Sequence, residues 1–161
     1  MPAQITCVSG ADLAPGPFLA RWRCRREIER TNAKAAAKLA KNGHAKLHVL
    51  SIDEQDYGFV AMGIYRFPEQ KLHYLQVLYL LVSEPYRKQR LEALEGLSAS
   101  EYLMSHVIAK SLDIASFLPL TAIVLEPASD KLIPLYTSLD FVSVPNVPNF
   151  MAFFLTEEQA E

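Results

Sequence analysis

The sequence has 161 residues, half of them apolar and 21% charged, and a mass of 18.1 kDa. That is enough chain for one globular domain and too little for two ordinary ones, and the balance excludes collagen, coiled coil and disorder as global descriptions. The formal charge is only −2, yet residues 1–46 hold nine of the sixteen Lys and Arg against three acids, Asp12, Glu27 and Glu29. The basic residues are Arg21, Arg23, Arg25, Arg26, Arg30, Lys34, Lys38, Lys41 and Lys46. Such a block is either a solvated helix face or a surface for nucleic acid or another polyanion. No apolar run reaches the roughly 18 residues of a membrane span. The first ten residues lack the basic and apolar blocks of a signal peptide. Cys7 and Cys24 form no C-x-x-C pair and supply no four-ligand zinc site, so the expected setting is a reduced cytoplasm, with no metal and no membrane.

In chain order, Gln4–Ser9 reads as a first strand, ended by Gly10 and the breakers Pro15, Gly16 and Pro17. From Phe18 to Asn42 the composition turns to strong helix formers, with Gly43 as the stop. Thr31 and Asn32 favour caps over interiors and mark where this segment would divide into two helices. Lys46–Ile52 is a strand, Asp53–Tyr57 a polar turn, and Gly58–Phe67 a long strand closed by Pro68, with a turn from Pro68 to Lys71. His73–Val82 is almost continuously apolar, the mark of a central strand covered on both faces. After the charged segment Arg87–Glu95, Ser98-Ala99-Ser100-Glu101 has the spacing of a capping box. Leu103, Met104, Val107, Ile108, Leu112 and Ala115 then recur at helical spacing. Leu120–Leu125 is a further buried strand. Ser129 or Asp130 caps a short helix whose apolar face is Leu132, Leu135, Tyr136 and Leu139. Phe141–Val144 and Phe150–Leu155 close the chain as strands, which makes the whole a mixed α/β protein with helices covering a sheet.

Two segments carry chemistry together. One is Leu80-Leu81-Val82-Ser83-Glu84-Pro85-Tyr86-Arg87, a strand leading through a loop to a helix. The other is Ser129-Asp130-Lys131-Leu132-Ile133-Pro134-Leu135-Tyr136-Thr137-Ser138-Leu139-Asp140-Phe141, a short helix leading into a strand. With the glycine-led strand Gly58-Phe59-Val60-Ala61-Met62-Gly63, these make the chain resemble the GNAT superfamily of acetyl-CoA-dependent N-acetyltransferases. Ser129, Tyr136 and Phe141 and the following Val-x-x-Pro-x-x-Pro are similar to the branch that includes acetyltransferase toxins. The resemblance implies a single GNAT-like domain over residues 1–161, with a mixed, mostly antiparallel sheet of about 6–7 strands that opens between the fourth and fifth.

The same resemblance implies acetyl-CoA as acyl donor. It would lie beside Leu81 and Val82, with its pyrophosphate on the backbone N–H groups of Gly96, Leu97, Ser98 and Ala99, and Ser129 nearby. The family's pattern there is Gln/Arg-x-x-Gly-x-Gly/Ala. The nearest fit, Ala93-Leu94-Glu95-Gly96-Leu97-Ser98, keeps one glycine, and Lys88–Glu92 reads as an insertion before it. Tyr136 takes the place of the family's general acid, donating to the departing thiolate. Asp140 stands where a glycine usually ends the helix, and Pro134 falls in its first turn, where it removes at most about one hydrogen bond. For a general base, Glu126 and Glu84 stand at strand ends, and His48 and His73 titrate near neutrality but sit singly on strands. Cys24 lies among arginines able to lower its pKa, without a histidine partner at recognisable spacing.

Three functions follow. The first is acetyl transfer to an amine of a small molecule or protein. The second is a toxin-like transfer to aminoacyl-tRNA using the basic 21–46 segment. The third is a non-catalytic binding module with a degenerate loop. The apolar Phe150–Leu155 run would offer a sheet edge for a homodimer.

Overall fold

The structure, a computed structural model, describes residues 2–66 and 71–155. Phe67 at the end of the second long strand, its closure by Pro68 and most of the turn to Lys71 lie outside the described residues. The elements are β1 (Ala3–Val8), α1 (Pro15–Ala20), α2 (Glu27–Lys41), β2 (Lys46–Ile52), β3 (Gln55–Tyr65), β4 (His73–Val82), α3 (Ala99–Ala115), β5 (Leu120–Leu125), α4 (Ile133–Ser138), β6 (Val142–Ser143) and β7 (Met151–Phe154). The seven strands hydrogen-bond in the order β1-β2-β3-β4-β5-β7-β6. β4 and β5 run parallel, whereas β1–β2, β2–β3, β5–β7 and β6–β7 are antiparallel. The chain forms two compact units, Met1–Met62 with Leu78–Ser105 and Gly63–Val77 with His106–Glu161.

The first unit is organised by an alanine face and an aromatic trio. Ala33, Ala36 and Ala37 of α2 are buried in a cluster with Leu47, Val49, Phe59 and Leu81; side chains this small let a helix lie close on a sheet. Phe18, Trp22 and Phe59 meet with ring centroids 5.1–5.7 Å apart. The helical segment does divide, but at Arg21–Arg26 and not at Thr31–Asn32. Trp22 is buried just past α1, and the backbone beyond it is held from outside: the Arg23 N–H donates to Ser83 Oγ at 2.8 Å and its carbonyl accepts from the Glu84 N–H at 2.9 Å. Arg21 fixes the same bend, its guanidinium donating to both carboxylate oxygens of Asp56 at 2.7 and 3.0 Å. Thr31 stays inside α2 with its hydroxyl donated to the Glu27 carbonyl. Pro15 and Pro17 do not break structure; α1 begins at Pro15, where a missing N–H costs nothing. The turn after β2 shrinks to Asp53 and Glu54, both left-handed (φ 53° and 65°), so β3 begins at Gln55 opposite Ile52.

In the second unit all six residues of β5 are buried, and Ala122 and Val124 pack with Tyr74 and Ala152. Pairing of β4 with β5 runs from His73↔Leu120 to Val77↔Leu125 and ends there. Val107 and Ser111 form the buried stripe of α3 in this unit, whereas Leu112, expected inside, is 48% exposed. One helical turn on from Val107 falls at Ser111, and the hydroxyl residue takes the core position. α4 ends in a Schellman turn: Phe141 N–H donates to the Tyr136 carbonyl and Asp140 N–H to that of Thr137, both at 3.0 Å, with Asp140 left-handed at φ 71°. β7 is flanked by β5 and β6, so the Phe150–Leu155 segment is not a sheet edge. The edge is β6, whose Val142 and Ser143 are both exposed.

Candidate active site

At the end of β4, Leu81 and Val82 are buried, and Gly58 of β3 lies so close that a Cβ there would stand 2.6 Å from the Leu81 carbonyl oxygen. Glu84 follows in an exposed 3-10 turn. Tyr86 stacks on Tyr57 with centroids 3.8 Å apart and donates its hydroxyl to Gln55 at 3.2 Å; burial, then the neighbouring Tyr86, raise the Tyr57 pKa. Arg87 turns back to the strand end, donating to the Val82 carbonyl at 2.8 Å and pairing with Glu29 of α2. Burial alone pushes the Glu29 pKa up, but the Arg87 hydrogen bond, the Arg26 N–H and both positive charges outweigh it and leave the carboxylate below its ordinary value. Nothing in the sequence spacing ties Glu29 to Arg87, which are 58 residues apart.

The loop into α3 is the expected pyrophosphate cradle, and its donors are partly engaged. Gly96 N–H donates to the Leu91 carbonyl at 2.9 Å, Leu97 N–H to that of Leu94 at 3.0 Å, and Ser98 N–H to Glu101 Oε1 at 3.3 Å. Ser98 Oγ accepts the Glu101 N–H, completing the capping box read from the sequence. Arg90 bridges the loop, reaching the Glu101 carboxylate at 3.1 Å and the Gly96 carbonyl at 3.2 Å. The N–H groups of Ala99 and Ser100 open α3 and have no intrahelical acceptor. With the exposed Arg90, which reaches Glu101 in the first turn of α3, they fit an anion such as the pyrophosphate of acetyl-CoA.

In the second unit Glu126 emerges from β5 into a cavity of about 520 Å³ that it lines with Asp130, Ile133, Ser143, Asn146, Phe150, Met151 and neighbouring residues. Among the described residues two carboxylates and no Lys, Arg or His line it, with walls that mix apolar side chains with Ser143, Asn146 and Asn149. Ser129 and Tyr136 do not line this cavity. Ser129 is exposed and its side chain makes no cap; its carbonyl accepts the Leu132 N–H at 3.1 Å, and Asp130 starts a 3-10 turn before α4. Tyr136 is 5% exposed, edge-on to Phe141 at 5.9 Å, and burial raises its pKa above 10. It therefore keeps its proton throughout the neutral range.

His73 is exposed at the start of β4, and His48 is half-buried on β2 opposite Cys7. Both cysteines are unpaired. The Cys24 thiol is pushed up, not down: burial leads, Glu29 adds to it, and Arg30 and Arg87 oppose it without prevailing. Arg30, Lys34, Lys38 and Lys41 are exposed along α2, flanking its buried alanines. Successive members of Arg30, Lys34 and Lys38 rise by about 6 Å. Among the described residues no helix is long and apolar enough to cross a membrane.

No family model matches the chain, and no curated protein matches it either. Solved structures do. A tyrosine-to-phenylalanine variant of the toxin AtaT, bound to the C-terminus of the antitoxin AtaR, superposes with a TM-score of 0.72 at 15% identity over 96% of this chain and 93% of that one. AtaT complexed with acetyl-methionyl-tRNAfMet gives 0.71 at 14% identity, covering 94% of each chain. The KacTA–DNA complex gives 0.72 at 16% identity over 95% of this chain and 93% of that one. The architecture is thus the GNAT fold, a seven-stranded, mostly antiparallel sheet with flanking helices.

Proposed function

We propose that this chain is an acetyl-CoA-dependent N-acyltransferase, a single domain over residues 1–161 that acetylates an amine of a small molecule or protein. The observation that carries the reading is the GNAT fold, supported by the burial of Tyr136 on α4, the residue that the resemblance makes the proton donor. A structure of AtaT with AtaR and acetyl-CoA bound, alike at a TM-score of 0.72 and 15% identity, supports the choice of acyl donor.

Acetyl-CoA supplies the thioester whose acetyl group is transferred. The Ala99 and Ser100 N–H groups, aided by Lys88 and Arg90, would hold its pyrophosphate, and Leu81, Val82 and Ser129 are the further residues that would bind it. Tyr136 presents a hydroxyl that burial keeps protonated. Burial raises the pKa of this phenol and so weakens it as an acid, and its chief contribution is a hydrogen bond to the departing sulfur. Glu126 accepts the proton of the incoming ammonium, and the cavity it lines with Asp130, without a Lys, Arg or His among the described lining residues, suits a positively charged acceptor. Glu84 is the alternative base.

The exposed basic stripe of α2 favours a second acceptor, an amine carried on tRNA, which AtaT's complex with acetyl-methionyl-tRNAfMet also supports. Titration calorimetry with acetyl-CoA and free CoA, followed by mass-spectrometric acetylation assays on amines and aminoacyl-tRNA, tests both. Micromolar donor binding with transfer establishes the enzyme. No binding up to about millimolar, where the binding free energy is only about −4 kcal/mol, leaves the chain a binding module of GNAT fold.

A further inference from the structure

We infer that the surface formed by Ile64, Ile114, Phe117 and Leu118, where α3 ends, is the interface through which two copies of this chain associate as a two-fold dimer. The inference stands apart from the acyl-transfer reading. It replaces the sheet edge expected at Phe150–Leu155, since β7 lies between β5 and β6.

Phe117 is the most exposed large apolar side chain among the described residues, at 88%, and Leu118 beside it is 63% exposed. The backbone holds both in place: the Phe117 N–H donates to the Ile114 carbonyl at 2.9 Å and the Leu118 N–H to the same oxygen at 2.8 Å. Helical spacing puts Lys110, Asp113, Ile114 and Phe117 on one stripe, with Leu112 on the other flank. Ile64, 70% exposed, joins them from the sheet. A Cβ at Gly58 would stand 3.2 Å from Leu103 of α3, so even-numbered positions of β3 face that helix, whereas Tyr65 packs with Tyr74 and Phe150 on the opposite face. α3 leaves the end of β4 and returns to the start of the parallel β5, which brings its last turn to the end of β3. Together the four side chains expose roughly 450 Å² of apolar surface, towards the upper end of what a monomer leaves uncovered. A standard interface buries about 800 Å² of each partner, a little over half of it apolar, so this patch with its polar rim makes one complete side. The rim selects the occupant. Lys110 and Asp113 are both exposed, and among the described residues neither is in an ion pair. An apolar centre bordered by one charge of each sign is complementary to itself after a two-fold rotation, with Lys110 meeting the partner's Asp113 and the reverse. Asp113 opposes an anionic bilayer, and a partner of single charge would leave one of the two side chains unmatched. The Glu126 cavity opens at the other end of β5, so association leaves it accessible.

The test is sedimentation velocity of the full chain from about 1 to about 100 μM, on wild type, Phe117→Asp, Lys110→Asp, Asp113→Lys and the double variant carrying both charge changes. Wild type is expected to sediment as a dimer, twice the 18.1 kDa chain, and Phe117→Asp as a monomer with a dimer Kd raised about a hundredfold. Phe117 is exposed within the chain, so the variant should keep its circular dichroism spectrum, and its melting temperature should lose the concentration dependence that dimerisation gives wild type. At low salt each single charge change should weaken the dimer several-fold and the double variant should restore it, a rescue that loss of fold would not produce. The charge variants also carry the test if Phe117→Asp fails to fold. A wild type that is monomeric at about 100 μM overturns the inference, and so does a monomer that instead binds phosphatidylserine vesicles through Phe117. A dimer that survives Phe117→Asp, or single charge changes without effect, overturns the assignment to this surface.

Discussion

Replacing Gly58 with alanine is the most direct test of how tightly the first unit is built around the end of β4. A Cβ at this position would stand 2.6 Å from the Leu81 carbonyl oxygen, 3.2 Å from Leu103 Cδ1 and 3.3 Å from Val82 Cα. Carbon meets a carbonyl oxygen comfortably at about 3.3 Å, so the first contact is too close by about 0.7 Å. Leu103 can give by rotating; the Leu81 carbonyl is backbone and moves only with β4. Overpacking of this kind costs about 1–3 kcal/mol, and with main chain as the obstacle the upper end applies. For a chain of this size each kcal/mol corresponds to roughly 2–4 °C in Tm, so Gly58→Ala should melt roughly 9 °C lower. Gly16 in α1 is the internal control: a Cβ there meets nothing within 4 Å, and alanine should leave stability unchanged or raise it by about 0.5 kcal/mol. Thermal melts by circular dichroism decide the matter. A Gly58→Ala melting temperature within about 2 °C of wild type would refute the close approach of β3 to β4. In the acetyl-CoA reading the same variant also loses cofactor affinity, because Leu81 and Val82 are what it displaces.

Other consequences follow from individual side chains. Glu29→Gln should destabilise the protein by about 1–2 kcal/mol at pH 7, reduced from the cost of a fully buried pair because Arg87 is partly exposed. Because the folded Glu29 pKa is depressed, its contribution is present above the ordinary carboxylate value and is lost as pH falls through the folded value. Melts from pH 7 to pH 3 should therefore show the difference between wild type and variant closing at the acid end, and a constant difference would contradict the ion pair. Asp140→Gly relieves a left-handed residue at the end of α4 and should raise Tm by roughly 2–3 °C, about 1 kcal/mol; a loss of stability would mean the aspartate side chain supports the turn. Tyr136→Phe should leave the melting temperature within about 2 °C while lowering kcat about a hundredfold with KM for acetyl-CoA little changed; an unaltered kcat would remove Tyr136 from the chemistry.

What the sequence determined by itself was whatever depends on near neighbours along the chain. The limits of β4 and β5 follow from almost continuously apolar runs bounded by Ser83 and Glu126. The Ser98–Glu101 cap follows from a three-residue spacing, and the left-handed Asp140 follows from where α4 must stop. The order of strands and helices came from these local signals added together, and the GNAT resemblance from the segments 80–87 and 129–141 with the glycine-led strand at Gly58. Tertiary structure decided what depends on partners distant in sequence. The helical segment breaks at Arg21–Arg26 because Asp56 and Ser83 hold it there, 35 and 60 residues away, which composition does not register. Leu112 faces solvent and Ser111 the core because packing, not hydropathy, chose the helix's phase. β7 is interior because β6 returns to its far side, a topological outcome open to neither strand alone. In the candidate site the residue types were legible and their engagements were not. That Glu101 would occupy the Ser98 N–H was written in the capping box, but that Arg90 would close over it, and that burial would hold the Tyr136 proton in place, are set by the three-dimensional arrangement of charge and solvent, which no linear spacing encodes.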